Sequence, residues 1–308
     1  MKIVVFGDQA RVGALVGDRV LDLARSDPAL PAGLRQFIEG GQQALEAAQK
    51  AIDTLDRAPE GAVLGAREAH VRAPWPERRI ACVGGNFADH LRGMERGETK
   101  TIEQVTQQAR AAGQWGFWKV PAFVSGPNDD VAYPKRTEYF DYEGEVALVI
   151  GKRGKNISAD QLEQYVWGVT LFNDLSIRDG MGGPQRPMSY NLAKNFDGST
   201  CMGPCIAVGE VSPSAVDLET RVNGEVRQHF NTRDMVFSFA EVLEYLSRDF
   251  SFVPGDVIAG GTAAGTAADK TVRGADGGRP KDLFLKVGDR VAVSSPQVGS
   301  LDNRIVAD

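Results

Sequence analysis

Glu143 and Glu145 stand two residues apart in FDYEGEVALVI, residues 140–150. Side chains alternate along a strand, so the two carboxylates share a face. The VALVI run that follows is apolar without interruption, which predicts a strand covered on both sides. Two ionised carboxylates at the edge of such a run repel each other and lose hydration. Four arrangements answer that problem: a solvent-exposed strand end, a protonated carboxyl, pairing with Lys or Arg, or a bound cation. Asp174 adds a third acid where the apolar run of GVTLFNDLSIRD ends. Three carboxylates with no His or Cys beside them form an all-oxygen donor set, which suits Mg²⁺, Mn²⁺ or Ca²⁺ over Zn²⁺. Three protein ligands on an octahedral ion leave positions for water or a chelating substrate.

The elements that must position these acids are mostly strands. KIVVFG, RVGALVG and RVLDLA read as three short strands joined by tight Gly/Asp turns. A helical stretch, LRQFIEGGQQALEAAQKAIDTLDRA, follows and is interrupted at Gly40 and Gly41. The Pro-rich connector VRAPWPERR then suggests a small N-terminal αβ domain over 1–74 and a larger domain over 75–308. Beyond it, RIACVGG, EGEVALVIG, YVWGVTLFND, CMGPCIAVGE and DLETRVNGEVRQHFNT are strand candidates. Asn-Gly in the last of these predicts a type I′ hairpin turn. Capping-box patterns predict helix starts at Ser158 and at Ser238. TIEQVTQQARAAG, 101–113, has helical composition but weak apolar periodicity, and reads as a loose surface segment. The fold class expected is α+β, mostly β.

Composition excludes several classes of function. The 308 residues carry 35 Lys plus Arg against 41 Asp plus Glu, a formal net charge of −6, and no basic run marks a nucleic-acid surface. No apolar run approaches the ~18 residues of a membrane span, and the start lacks a signal-peptide pattern, so a cytoplasmic protein is expected. Three cysteines, Cys82, Cys201 and Cys205, are too few for a disulfide framework and read as buried small residues in a reducing compartment. GGTAAGTAADK does not match a phosphate-binding loop opening a helix.

From about residue 80 to 305 the chain resembles the fumarylacetoacetate hydrolase superfamily. The resemblance rests on CVGGNFADH, FWKVPAFVSGPNDDVAYP, DYEGEVALVIGK, FNDLSIRD, AKNFDGSTCMGP, VPGDVIAGGTAAG and LKVGDRVAVSSPQVGSLDNRIV, which occur in the family's order. It implies a compact mixed β roll with a small N-terminal domain, usually a homodimer. It also implies Mg²⁺ or Mn²⁺ held by Glu143, Glu145 and Asp174, and a small-molecule 2-oxo acid substrate, with no nucleic-acid or membrane partner. The activity expected first is hydrolysis of a C–C bond in an acylpyruvate or 1,3-dicarbonyl acid, of the kind met in aromatic catabolism. Isomerisation, decarboxylation and dehydration on the same site are the alternatives, and a metal-stabilised binding protein is the non-enzymatic one. Fold alone does not choose among them.

The resemblance also assigns roles. His90 becomes a general acid or base. Relatives carry a Glu three residues after that His, whereas position 93 here is Gly, so Glu95, the nearest acid downstream, is the candidate partner. Lys119 and Lys194 would neutralise a carboxylate or a developing enolate. Thr262 would contact the substrate carboxylate. Arg178, beside Asp179, reads as part of a structural ion pair and as a substrate-binding candidate. The stretch 92–116 is longer than the family spacing and implies a lid, with Trp115, Phe117 and Trp118 offering apolar contacts.

Overall fold

The computed structural model describes residues 1–94, 100–179, 187–271 and 280–308, with the side chains of 187–190 left out. Its backbone is one eleven-stranded sheet, one five-stranded sheet and a two-stranded ribbon. Strands Lys2–Phe6, Arg11–Val16, Arg19–Asp22 and Val63–Gly65 form an antiparallel meander. Lys2–Phe6 then pairs with Thr200–Ala207, so the N-terminal meander extends the main sheet. The order continues through Val166–Asp174, Gly144–Ile150 and Val257–Ala259 to Ile80–Gly84, and ends at Trp115–Lys119. Every pairing in this series is antiparallel except Val257–Ala259 against Ile80–Gly84.

The apolar run after Glu145 is buried on both faces, as its composition predicts. Val146, Leu148 and Ile150 join a core that also holds Leu218, Val222, Val291, Val293 and Leu301 of the five-stranded sheet. Ala147 and Val149 face the other way, into a core with Phe37, Ile38, Ala44 and Ala48 of the N-terminal helices. These helices, Leu34–Glu39 and Gly41–Asp53, divide at the two glycines. Phe37 is fully buried and meets Trp167 edge to face, with centroids 6.0 Å apart. Burying such a ring contributes on the order of 2–3 kcal/mol. The large sheet is therefore covered by helices on one side and by the smaller sheet on the other.

Most predicted elements appear where expected. Asn223 and Gly224 adopt φ of 52° and 83° between strands Asp217–Val222 and Glu225–Asn231, as a type I′ turn requires. Ser238 makes both bonds of its capping box and starts helix Phe239–Leu246. Ser158 does not: its hydroxyl bonds Asp160, and only a 3₁₀ turn, Ala159–Gln161, precedes the short helix Leu162–Tyr165. The carboxylate of Asp160, two residues on, takes the hydroxyl's hydrogen bond.

The segment 101–113 forms the helix its composition suggests, Ile102–Ala112, largely exposed at the surface and started by a complete Thr101–Gln104 capping box. Val105 is its one buried residue and packs with Ala88 and Val236. Arg110 supplies what apolar periodicity does not. Its guanidinium bonds the Val236 carbonyl, pairs with Glu241 at 2.5 Å and lies 5.0 Å from the Phe237 ring centroid. All three cysteines are buried and free. Among the described residues, no helix is long and apolar enough to cross a membrane.

Candidate metal and proton-transfer site

Antiparallel pairing brings the three acids together. Strand Gly144–Ile150 lies against Val166–Asp174 with Gly144 opposite Asn173, and the Asp174 N–H continues the ladder to the Glu143 carbonyl at 2.9 Å. Glu143 and Asp174 therefore sit side by side at one end of the pair. Ligand atoms of Glu143, Glu145 and Asp174 all lie within 4.8 Å of one another, and all three residues are buried. Gly144, between the two glutamates, is pinned from the second sheet. Its N–H donates to Gln228 Oε1 at 3.0 Å, and its carbonyl accepts from Thr262 Oγ1 at 2.9 Å. A Cβ there would meet Thr220 Oγ1 at 2.1 Å, so only glycine lets the sheets approach this closely.

Two buried ammonium groups face the acids. Lys119 ends the edge strand Trp115–Lys119, and its Nζ donates to Asp174 Oδ1 at 2.5 Å and to the Ser199 carbonyl at 2.8 Å. Lys194 ends helix Pro187–Lys194 and bridges Glu143 Oε2 at 2.5 Å, Asp174 Oδ2 at 2.6 Å and Ser176 Oγ at 2.7 Å. The face of Phe117 lies beneath that ammonium, 5.3 Å away. Arg178 is turned to the protein's own acids: Asp141 Oδ2 at 2.8 Å and Glu143 Oε1 at 2.5 Å. Asp179 accepts a hydrogen bond from Thr137, so the two neighbours serve different partners rather than one ion pair.

The charges do not balance evenly. Burial would raise the Glu143 pKa, but Arg178 and Lys194 outweigh it and hold the carboxyl well below its usual range. Glu145 forms no salt bridge among the described residues; its Oε2 accepts the Gly261 N–H at 2.9 Å, and Lys194 acts on it only at longer range. Burial, then Asp174 and Glu143, push its pKa well above the usual value. A divalent cation among the three acids would supply the charge that keeps Glu145 ionised. The donor set is all oxygen, buried and convergent, and fits a hard cation.

His90 lies on helix Ala88–Met94, and its partner is an acid that sequence reasoning missed. Nδ1 is 2.9 Å from Asp269 Oδ2, with side chains 11% and 2% exposed. Asp269 belongs to helix Ala267–Lys270, capped by Thr266, and its carboxylate also accepts the Gly265 N–H at 3.0 and 3.2 Å. The readable signal was Thr266-Ala-Ala-Asp269, a helix-start pattern, but nothing in it points 179 residues back to His90. Glu95, the candidate partner from the sequence, lies outside the described residues.

Two further residues missed in the sequence hold this arrangement. Asn86 donates to the Phe237 and Gly260 carbonyls at 3.0 and 2.9 Å, and ties the start of the His90 helix to the glycine loop. Asp141 accepts from the Ala267 and Ala268 N–H groups at 2.8 and 3.0 Å, and so links Arg178 to the helix of Asp269. Thr262 is buried beside Glu145, with its hydroxyl donated to Gly144 and accepting from Gln228 Nε2 at 2.7 Å. Trp115 is half-exposed and lies over Gly84, where a Cβ would come within 2.3 Å of its ring.

Comparison with known proteins bears on the family and the fold. The family model for the fumarylacetoacetate (FAA) hydrolase C-terminal domain matches residues 79–306. A mitochondrial oxaloacetate tautomerase of Xenopus laevis is 31% identical over 94% of this chain and 83% of its own. Oxaloacetate tautomerase YisK of Bacillus subtilis is 32% identical over 96% of this chain and 95% of its own. Among solved structures, a fumarylacetoacetate hydrolase from Exiguobacterium antarcticum superposes with TM-score 0.79 at 29% identity, covering 100% of both chains. The maleylpyruvate hydrolase of Sphingobium sp. SYK-6 shares the fold, with TM-score 0.74 at 23% identity over 100% of this chain and 99% of that one. The chain belongs to the fumarylacetoacetate hydrolase superfamily.

Proposed function

We propose that the protein is a metal-dependent enzyme that interconverts the keto and enol forms of a small 2-oxo diacid of the oxaloacetate type. The observation that carries this reading is the convergence of three buried carboxylates on two buried ammonium groups, with the carboxylate-paired imidazole of His90 tied to the same strand pair through Asp141 and Tyr142. Relatives about one-third identical over nearly the whole chain bear the name oxaloacetate tautomerase, which supports the choice of reaction and substrate. Glu143, Glu145 and Asp174 would hold Mg²⁺ or Mn²⁺, which when bound polarises a 2-oxo acid and makes the adjacent C–H more acidic.

The chain's own residues account for the proton traffic. With its Nδ1–H donating a hydrogen bond to Asp269, His90 presents Nε2 as a base. Nε2 takes a proton from the carbon next to the 2-oxo group. The C–H pair becomes the C=C bond, and the carbonyl π pair moves onto oxygen. The positive charges of Lys119 and Lys194 would lower the energy of that enolate. Return of a proton to oxygen gives the enol, and return to carbon restores the ketone. Water is not consumed, and no C–C bond breaks.

Hydrolytic C–C cleavage, the first expectation from the sequence, is the second reading. It is favoured by the same His90–Asp269 pair, because a carboxylate-held imidazole also suits activation of water. The deciding experiment adds enzyme to freshly dissolved enol oxaloacetate and follows loss of enol absorbance, with Mg²⁺, with Mn²⁺ and with chelator. An acylpyruvate is assayed in parallel for release of pyruvate. Metal-dependent acceleration of ketonisation supports the proposal. No acceleration over the spontaneous rate, with pyruvate released from the acylpyruvate, replaces it by hydrolysis.

A further inference from the structure

We propose that Asp269 is the positioning residue of His90, and that position 93 is glycine to admit it. This rests on the reading of His90 as the proton-transfer group and extends it to how the imidazole is held. The two side chains come from opposite ends of the catalytic region: His90 from helix Ala88–Met94, Asp269 from helix Ala267–Lys270. Both are nearly enclosed, and Nδ1 and Oδ2 are 2.9 Å apart.

Asp269 is itself held at several points. Its carboxylate takes the Gly265 N–H on both oxygens, at 3.2 and 3.0 Å, and its own N–H donates to Thr266 Oγ1 at 3.3 Å. Tyr142 donates its hydroxyl to the Gly265 carbonyl at 2.9 Å, which fixes the loop from the strand-pair side. The acid is thus aimed by the same scaffold that carries the three-carboxylate cluster.

Gly93 supplies the space. Residues three apart on a helix share a face, so a side chain at 93 would lie beside the imidazole. A Cβ built on Gly93 would stand 2.7 Å from Asp269 Cβ and 3.4 Å from both its Cγ and its carbonyl oxygen. A residue larger than glycine at 93 and an aspartate at 269 therefore compete for one volume. This chain fills it from the second helix.

The chemical consequence is a fixed tautomer. A carboxylate can only accept, so the proton sits on Nδ1 and Nε2 keeps its lone pair. When Nε2 takes the substrate proton, the imidazolium forms against a fixed negative charge. Asp269 keeps that charge throughout and receives no proton.

The test uses the full-length enzyme with ¹⁵N-histidine labelling. His70, His90 and His229 are the three histidines, so the His90 ring signals can be assigned by loss in His90→Gln. Long-range ¹H–¹⁵N spectra of the unmodified enzyme are expected to show Nδ1 protonated and Nε2 bare. In Asp269→Asn, Gly265 holds the amide oxygen and the NH₂ faces Nδ1. The proton then moves to Nε2, and kcat is expected to fall by about 10²-fold or more, with KM within about threefold, in line with loss of general-base function. Asp269→Gly should fall similarly, and Gly93→Glu added to it should recover at least about tenfold by supplying the carboxylate from the first helix. An unchanged tautomer in Asp269→Asn, or kcat within about twofold of the parent, overturns the positioning role. The functional reading fails separately: if the unmodified enzyme accelerates no 2-oxo acid reaction while the tautomer still switches, the pair stands and the assigned chemistry falls.

Discussion

Replacing Arg178 with Met should destabilise the fold and disturb the site from beneath. The guanidinium is 7% exposed and bridges Asp141 and Glu143, themselves 0% and 6% exposed. Removing one partner of a buried ion pair costs roughly 3–5 kcal/mol, because the remaining charge stays buried. Both carboxylates keep other donors: Asp141 has the N–H groups of Tyr142, Ala267 and Ala268, and Glu143 has Lys194. The loss should therefore sit near the lower end, about 3 kcal/mol, or about two decades in the folding equilibrium. Arg178→Lys keeps the charge but not the two-pronged fork, and should lose less. The deficit should depend on pH. Burial, opposed by Arg178, already raises the Asp141 pKa above 3.8 in the native protein, and removing Arg178 raises it further. A group whose folded pKa is raised favours the folded state below its unfolded pKa, and that contribution fades as pH climbs through the folded value. The Met variant should thus lie nearest the parent in acid and fall behind as pH rises towards neutrality. Urea unfolding across pH, with midpoints compared at constant slope, measures this. A midpoint unchanged at every pH, together with a raised KM, would refute the structural role and make Arg178 a substrate-binding residue instead.

Other outcomes are equally open to measurement. Glu143→Ala, Glu145→Ala and Asp174→Ala should each abolish binding of Mg²⁺ or Mn²⁺ in calorimetric titration, and unchanged affinity in all three would remove the metal assignment. The thiols of Cys201 and Cys205, pushed up to about 12 and about 11 chiefly by burial, and that of Cys82, which burial also raises well above its ordinary value, should stay unreactive towards a disulfide reagent at pH 8. All three should then titrate in denaturant. Arg110→Ala should speed amide exchange across Ile102–Ala112 without changing metal affinity, since that side chain clamps the helix to Val236 and Glu241; unaltered exchange would show the helix held by other contacts. Gly224→Ala, at φ 83°, should cost about 1 kcal/mol or more and leave kcat untouched.

The parts legible in the sequence were those with local causes. An unbroken apolar run means a strand buried on both faces, and Gly144–Ile150 is one. Asn223-Gly224 and the Ser238 capping box act over two to four residues, and both hold. Glu143, Glu145 and Asp174 were legible as a group because antiparallel neighbours that end in acids bring those acids together. Ser158 failed because Asp160, two residues away, offered its hydroxyl a competing acceptor. The helix Ile102–Ala112 was legible as a surface helix, but not its attachment, which rests on Val105 and on the guanidinium of Arg110 more than on an apolar stripe. A periodicity argument counts apolar positions and has no means of weighing a guanidinium that binds a carbonyl, a carboxylate and a ring at once.

The partner of His90 was hidden for a different reason. Position 93 is Gly where relatives carry an acid, and Glu95, the nearest acid downstream, lies outside the described residues. The physical content of that glycine is not absence but clearance: it removes the one side chain that would exclude Asp269. A contact across 179 residues leaves no local trace, because neither helix needs the other to form its own turns. What the sequence does carry is two half-signals, a glycine on the histidine's face of one helix and an acid at the third position of another. They become one statement only when the sheet order sets Val257–Ala259 in parallel beside Ile80–Gly84, so that the segments leaving both strands emerge at the same end. Parallel neighbours make that juxtaposition unavoidable. Wherever a glycine replaces an expected acid after a parallel strand, its replacement is best sought beyond the strand alongside.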